Sequence, residues 1–589
     1  MTRRELLALL AASPAAIYSQ GMSRRTVAPA PRGKPSGLPF HSRFTDIASS
    51  AGLRAPVIYG ANARKLYLTE TVGCGVAFLD YDNDGWLDIF VLSGSRLEGA
   101  PAGATNRLYK NNRDGTFTDV TAASGLGHTG WACAVAVGDY DNDGFDDLFV
   151  TYWGGYTLYH NNGNGTFTDV TAKSGTNRKA GAVAPASEWG SGCAFVDYNR
   201  DGLLDLLVAH YTEFDLAAVP KMGESATCNW KGVPVPCGPR GLPPGGLRLY
   251  RNNGDGTFTD VSVESGVARA TGSYPMTIAA ADFDNDGWQD LYVACDSTAS
   301  FLLKNNHDGT FNEVGLESGV ALNDDGMEQA GMGVAVGDYN LDGSLDIFKT
   351  HFSDDTCVLY RNDGKGSFED VTVASGLAVE TRYTCWGAAM ADFDNDGLPD
   401  LFFTTGSIYP ELESKVPAYP FKTPRAIFRN LGGGKFEELI DGAGPGIAAA
   451  HSSRGCAFGD FDNDGDVDVV AINLGEPPSL LRNDVSGGGH WLKVKLVGTK
   501  SNRGAIGATV IVQYGSRRQA QAVMSQSSFY SANDRRLHFG LGAETVAGVE
   551  IRWPNGLVER IERVDADRLV TIQEGAGVVK QERFPSVRG

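Results

Sequence analysis

Apolar residues along this chain fall in short runs of strand length, separated by clusters of Asp, Asn and Gly, and no stretch keeps a helical period. Gly75 to Leu79 and Ile89 to Leu92 flank the acidic stretch Asp80-Tyr81-Asp82-Asn83-Asp84-Gly85-Trp86-Leu87-Asp88, so that stretch joins two strands of a hairpin. Two more strands follow, linked by Asn111-Asn112-Arg113-Asp114-Gly115, where Asn and Gly supply the positive φ angles that a tight reversal requires. The unit is four strands.

Three signatures recur seven times in fixed order. Acidic loops begin at Asp80, Asp139, Asp197, Asp282, Asp338, Asp392 and Asp460. A strand ending in a polar turn follows each loop, as in Leu108 to Asn112 and Leu158 to Asn162. A Phe-x-Asp/Glu segment has its phenylalanine at Phe44, Phe117, Phe167, Phe258, Phe311, Phe368 and Phe436. Four-stranded units spaced 54 to 85 residues apart predict a seven-bladed β-propeller, an all-β fold. The chain enters on the third signature and leaves after the second, so the strand near Phe44 is expected to complete the last blade and close the ring. Small residues before each acidic loop, as in Gly73-Cys74-Gly75-Val76-Ala77, suit strands crowded near one axis.

Residues 487–575 alternate apolar and polar positions, with an Asn555-Gly556 hairpin signal, and predict a small β-sandwich. The start of the chain has a basic pair, Arg3-Arg4, and an apolar run from Leu6 to Ile17, which reads as an export signal over 1–21 with a possible twin-arginine route. A Pro/Ala-rich linker over 22–41, a propeller over 42–486 and a tail over 576–589 complete the expected organisation. The protein is therefore expected in the periplasm, on the cell surface or in the medium, without an integral membrane span.

Glycine supplies 75 of the 589 residues, which fits many tight turns. The net charge of −20 disfavours nucleic acid as a partner, because a phosphate-binding surface needs a positive excess. It agrees instead with cation binding. Oxygen-bearing side chains stand at alternating positions of every loop, with glycine at the sixth. They are Asp80, Asp82, Asp84 and Asp88 in the first; Asp139, Asp141, Asp143 and Asp147 in the second; Asp197, Asn199, Asp201 and Asp205 in the third; and Asp282, Asp284, Asp286 and Asp290 in the fourth. Asp338, Asn340, Asp342 and Asp346 form the fifth, Asp392, Asp394, Asp396 and Asp400 the sixth, and Asp460, Asp462, Asp464 and Asp468 the seventh. Hard dications want several oxygens and a sharp turn, and calcium tolerates this geometry better than magnesium, so about seven Ca²⁺ are expected. An EF-hand is excluded by the flanking strands and by the lack of a Glu at the twelfth position of the first loop.

The loops and the Phe-x-Asp segments resemble the FG-GAP (VCBS-type) repeats of integrin α-subunit propellers. Gly489-His490-Trp491, Ser501 to Ala508, Leu537 to Gly542 and Trp553-Pro554-Asn555-Gly556 resemble the ASPIC/UnbV domain. Together they look like the cartilage acidic protein family in its bacterial form. The resemblance implies fold and calcium binding, but no defined activity.

Function on a propeller usually sits where loops meet at the channel mouth. The face opposite the acidic loops is expected to gather Glu70, His128, Glu188, Glu328, Arg382, His451, Arg454, His210, Asp296 and His351, with Trp131, Trp189 and Trp386 nearby. His210, His351, His451, Glu188 and Arg382 are the candidates for chemistry there. An insertion over 211–246 should fold across this face, stapled by a disulfide between Cys228 and Cys237. Cys74, Cys133, Cys193 and Cys456 read as buried core thiols. No nucleophile elbow, phosphate loop, HExxH, dinucleotide fingerprint in a strand-to-helix setting, or haem motif occurs. The expected function is binding or adhesion to an extracellular protein or glycan. The alternative is an enzyme acting on a carbohydrate or polyhydroxylated substrate at the mouth.

Overall fold

A computed structural model describes residues 26–176 and 188–584; the expected export signal lies outside them. From Phe44 to Asn483 the chain builds seven four-stranded antiparallel sheets. The first runs outward through Val76–Leu79, Asp88–Val91, Arg107–Asn111 and Phe117–Asp119. Each innermost strand packs against that of the next sheet, and Ser453–Gly459 of the last meets Val76–Leu79 of the first, so the sheets form a closed propeller. The seventh sheet takes its outer strand from the start of the chain: Phe44–Asp46 pairs antiparallel with Ser479–Asn483.

A side-chain amide fastens each blade to the one before it. The Asn that ends each third strand sends Nδ2 to the second residue of the preceding loop, as Asn161 does to Tyr81 at 2.8 Å and Asn252 to Tyr140 at 2.8 Å, and most also bond a carbonyl of their own loop. Asn111 makes the same bond to Phe461 at 2.9 Å, which locks the first blade to the last. The sequence repeat contains these asparagines, but their partners lie in another unit.

A one-turn helix follows most outer strands, for example Thr121–Ser124, and ends on a glycine at positive φ such as Gly125 (φ 81). Residues 26–39, expected as a linker, lie across two blades: Val27 donates its N–H to Asp354 O at 2.8 Å, Ala30 to Ala378 O at 2.7 Å, and Arg429 bonds the carbonyls of Leu38 and Pro39.

The C-terminal region forms two four-stranded sheets facing across an apolar core that includes Val494, Val510, Phe539, Val549, Ile551 and Val570. One sheet holds a parallel pair, His490–Val497 with Arg568–Gln573. It extends to Glu582, past residue 575, because Gly575 and Gly577 at positive φ reverse the chain into a further strand, Gly577–Glu582.

The two domains interlock. Residues 523–536, between the strands Arg517–Ala522 and Leu537–Gly542, enter the ring and meet the innermost strands. Register shifts in those strands leave backbone groups facing the axis, as between Ala132 and Val135 and between Gly331 and Val334. The inserted segment satisfies them: Val135 N–H donates to Tyr530 O at 3.0 Å, Val334 N–H to Ser528 O at 2.8 Å and Phe78 N–H to Ala532 O at 3.1 Å. A Cβ on Gly75 would lie 1.8 Å from the Tyr530 carbonyl. The small residues at the axis thus make room for a plug as well as for one another.

Candidate functional site

The acidic loops fold by the same local bonds in each blade. The first Asp accepts the N–H groups of the fifth and sixth residues, as Asp80 does from Asp84 at 2.8 Å and Gly85 at 3.0 Å. The fourth residue is left-handed throughout, from Asn83 (φ 57) to Asn463 (φ 56), and the glycine after the fifth has positive φ. The ninth Asp is buried and takes the N–H of the third-strand Asn, as Asp88 does from Asn111 at 2.7 Å. These bonds aim the remaining carboxylate oxygens at one another.

Asp80, Asp82 and Asp88 bring ligand atoms within 4.8 Å of one another, as do Asp139, Asp141 and Asp143, Asp282, Asp284 and Asp286, and Asp392, Asp394 and Asp400. Such clusters could hold metal ions. Two buried carboxylate oxygens of the loops, Asp82 Oδ1 and Asp462 Oδ1, have no hydrogen-bond partner among the described residues. Burial, and beyond it the like charges alongside, pushes the Asp88 carboxyl up to about 8 and those of Asp139 and Asp197 to about 7. The donor set is all oxygen, and a dication would supply the missing partner and hold the carboxylates ionised.

The C-terminal domain covers this loop face. Ala520 N–H donates to Asp338 Oδ2 at 3.0 Å, Arg503 N–H to Asn142 Oδ1 at 2.8 Å and Tyr514 OH to Gly397 O at 3.0 Å. Arg552 reaches Asn285 Oδ1 at 2.7 Å, and Arg535 pairs with Asp146. Lys493, 1% exposed, pairs with Asp460. Burial raises the Asp460 carboxyl, but Lys493 and Arg536 together hold it below the usual range.

The opposite face is covered too. The insertion closes over it, with Trp230 against Phe352 (ring centroids 5.0 Å apart), Met222 N–H on Leu66 O at 2.9 Å and a disulfide joining Cys228 to Cys237. The expected ring of polar groups around an opening therefore becomes a set of buried or paired residues. His210 lies 3.3 Å from Glu188, which Arg248 also holds at 2.5 Å. His351 is fully buried; His451 sits 3.1 Å from Glu476, and Arg382 pairs with Glu380 at 2.7 Å. Arg454, fully buried, donates to Thr71 O at 2.8 Å and to Ser453 O at 2.7 Å while lying over the Trp386 ring. Of the five candidates the structure sets His210 against Glu188, while Arg382 and His451 pair with Glu380 and Glu476; Phe214 and Trp230 of the insertion join the buried core on this side. Cys74, Cys133, Cys193 and Cys456 are buried free thiols.

Sequence reasoning passed over one group beside the loops. The residue before each third-strand Asn is basic: Lys110, Arg251, Lys304, Arg361, Arg429 and Arg482, with His160 in the second blade. Lys110 and Lys304 pair with the third-position aspartates of their own loops, Asp82 and Asp284.

Sheet ring, acidic loops and docked C-terminal sandwich together define an FG-GAP-like repeat propeller. Residues 80–150, 139–208, 241–293, 282–349 and 350–403 match the FG-GAP-like repeat family, and residues 498–579 match the ASPIC and UnbV family. The chain is an FG-GAP-like repeat protein with a C-terminal ASPIC and UnbV domain. Its relatives include cartilage acidic protein 1 of Homo sapiens, 28% identical over 309 residues that make up 50% of this chain and 43% of that protein. The Mus musculus protein of the same name is 26% identical over 531 residues, 87% of this chain and 74% of that protein. The match to the human protein thus spans less than half of its length. Among solved structures, an Agrocybe aegerita lectin described as recognising non-reducing terminal N-acetylglucosamine aligns with TM-score 0.36 and 16% identity, over 69% of this chain and 87% of that one.

Proposed function

We propose that this is an exported, calcium-dependent interaction protein, with about seven Ca²⁺ held in its propeller loops and an extracellular protein or glycan as its partner. Its organisation would be an export segment over 1–21, a linker over 22–41, the propeller over 42–486 with the insertion 211–246, and a sandwich from 487 to 582 followed by a tail. The observation that carries the calcium reading is the set of converging carboxylates, Asp80, Asp82 and Asp88 among them, with buried oxygens such as Asp82 Oδ1 that no hydrogen-bond donor among the described residues meets. Cytosolic calcium would not fill sites of extracellular strength, which agrees with export.

The covered faces leave the outer rim as the broad free surface. Val263, Leu316 and Val373 follow the outer strands of successive blades and are 75%, 70% and 74% exposed. Among the described residues no helix is long and apolar enough to cross a membrane.

The test is metal analysis of protein purified in calcium, together with pull-down of envelope material with and without chelator. Several calcium ions per chain and chelator-sensitive capture are expected. Metal-free protein with unchanged capture would overturn the reading.

A further inference from the structure

The second blade departs from the pattern of the other six, and the departure changes the chemistry of its loop. On the third strand, where the other blades carry lysine or arginine, it carries His160. Lysine and protonated arginine have no lone pair to offer a metal; imidazole does.

His160 Nδ1 lies 3.3 Å from Asp141 Oδ2 and 3.3 Å from Asp147 Oδ1, the third and ninth residues of the loop. The three atoms fall within one metal-sized cluster. Two ligands about 2.0–2.1 Å from a zinc-like ion at a tetrahedral angle stand about 3.4 Å apart, so the observed separations are those of a coordination-polyhedron edge. Neighbouring bonds hold the ring in place. Asn161 N–H is bound to Asp147 Oδ1 at 2.8 Å and its amide to Tyr81 O at 2.8 Å, which fixes the backbone beside His160, and the ring meets Tyr140 edge-on. The His160 side chain is 26% exposed and Asp141 30%, so the cluster lies near the surface, with the ligating Nδ1 itself buried.

We propose that the second blade's loop takes a first-row transition-metal dication of the zinc class, coordinated by His160, Asp141 and Asp147, in place of calcium. The proposal rests on reading the acidic loops as cation sites. Calcium favours oxygen ligands alone, whereas imidazole with carboxylates suits zinc and cobalt. As a mere counter-ion His160 would need no lone pair, and the lysines and arginines of the other blades show that a plain cation suffices there.

The test uses the full chain in about 1 mM calcium, the level at which extracellular calcium modules fill. Co²⁺ is titrated by its visible absorption and Zn²⁺ by calorimetry. One equivalent per chain should bind against that calcium. His160→Lys, which installs the residue type of the first blade, should weaken it by more than about tenfold, the smaller loss known for a mere partner of a metal ligand. His160→Gln with an unchanged melting temperature would exclude misfolding as the cause. No cobalt retained against calcium, or cobalt retained equally by His160→Lys as a counter-ion role predicts, would overturn the proposal. Calcium counted in the same samples separates the two readings: if calcium binds nowhere while one His160-dependent cobalt remains, the calcium reading fails and this one stands.

Discussion

Lys493 of the sandwich places its ammonium against the carboxylate of Asp460, the first residue of the seventh acidic loop, with both side chains almost wholly buried. The pair joins the C-terminal domain to a candidate metal loop. Removing one partner of a buried ion pair costs about 3–5 kcal/mol because the other charge is left unmatched. Lys493→Met is expected to destabilise chelated protein by that order, lowering its melting temperature, and to cost less in calcium, where an ion meets part of the Asp460 charge. Thermal melts of the variant and the parent protein with and without chelator decide it, and equal losses in the two conditions would separate the loop from the docking.

Chelation should destabilise the whole chain. A site with a dissociation constant of about 0.1 mM contributes about 1.4 kcal/mol at about 1 mM calcium, so several sites together rival the stability of a domain. Asp286→Ala in the fourth loop should remove about one such share. Calorimetric melting with metal counting is the check, and a melt unmoved by chelator would end the claim.

The pH response of chelated protein follows from the raised carboxyls. Asp139 and Asp197 move up to about 7 on folding, chiefly through burial. The folded state therefore holds their protons more tightly than the unfolded one. The stability they contribute is full below their ordinary value of about 4 and is lost as pH rises through about 7. Without metal, the melting temperature should fall between pH 4 and 8 for this reason; with calcium holding the groups ionised, that loss should shrink. A chelated protein that gains stability across this window would contradict the assignment.

Arg454 is expected to be structural. Its guanidinium is fully buried, bound to the carbonyls of Thr71 and Ser453. Arg454→Ala should cost more than about 3 kcal/mol by leaving a void and unmet carbonyls. Denaturant unfolding measures it, and a change under about 1 kcal/mol would mean the site relaxes around the loss.

Cutting the chain after residue 486 would expose the axial N–H groups of Val135, Val334 and Phe78 that the plug now satisfies. The isolated propeller is expected to be less soluble than the full chain and to aggregate through its inner strands. Solubility and light scattering of the truncated protein test this; a monodisperse propeller would show that water meets those groups equally well.

The sequence alone determined the repeat, the four-strand unit, the turn of each acidic loop and the closure by Phe44, because each is a local pattern repeated at fixed spacing. Asp80 to Asp88 dictate their own turn whichever neighbours surround them. What the tertiary structure decided is everything that depends on contacts distant in sequence. The Asn111 amide finds Phe461 only once the ring is closed, and Tyr530 reaches Val135 only once the sandwich has docked. His210, Glu188 and His351 looked like a mouth because strand order places them at one end of the blades. Whether that end is open depends on how Trp230 and its neighbours pack, and packing of an insertion leaves no periodic trace in the sequence. His160 was visible as a letter, and its meaning came from a fold that sets it 3.3 Å from two carboxylates of its own loop.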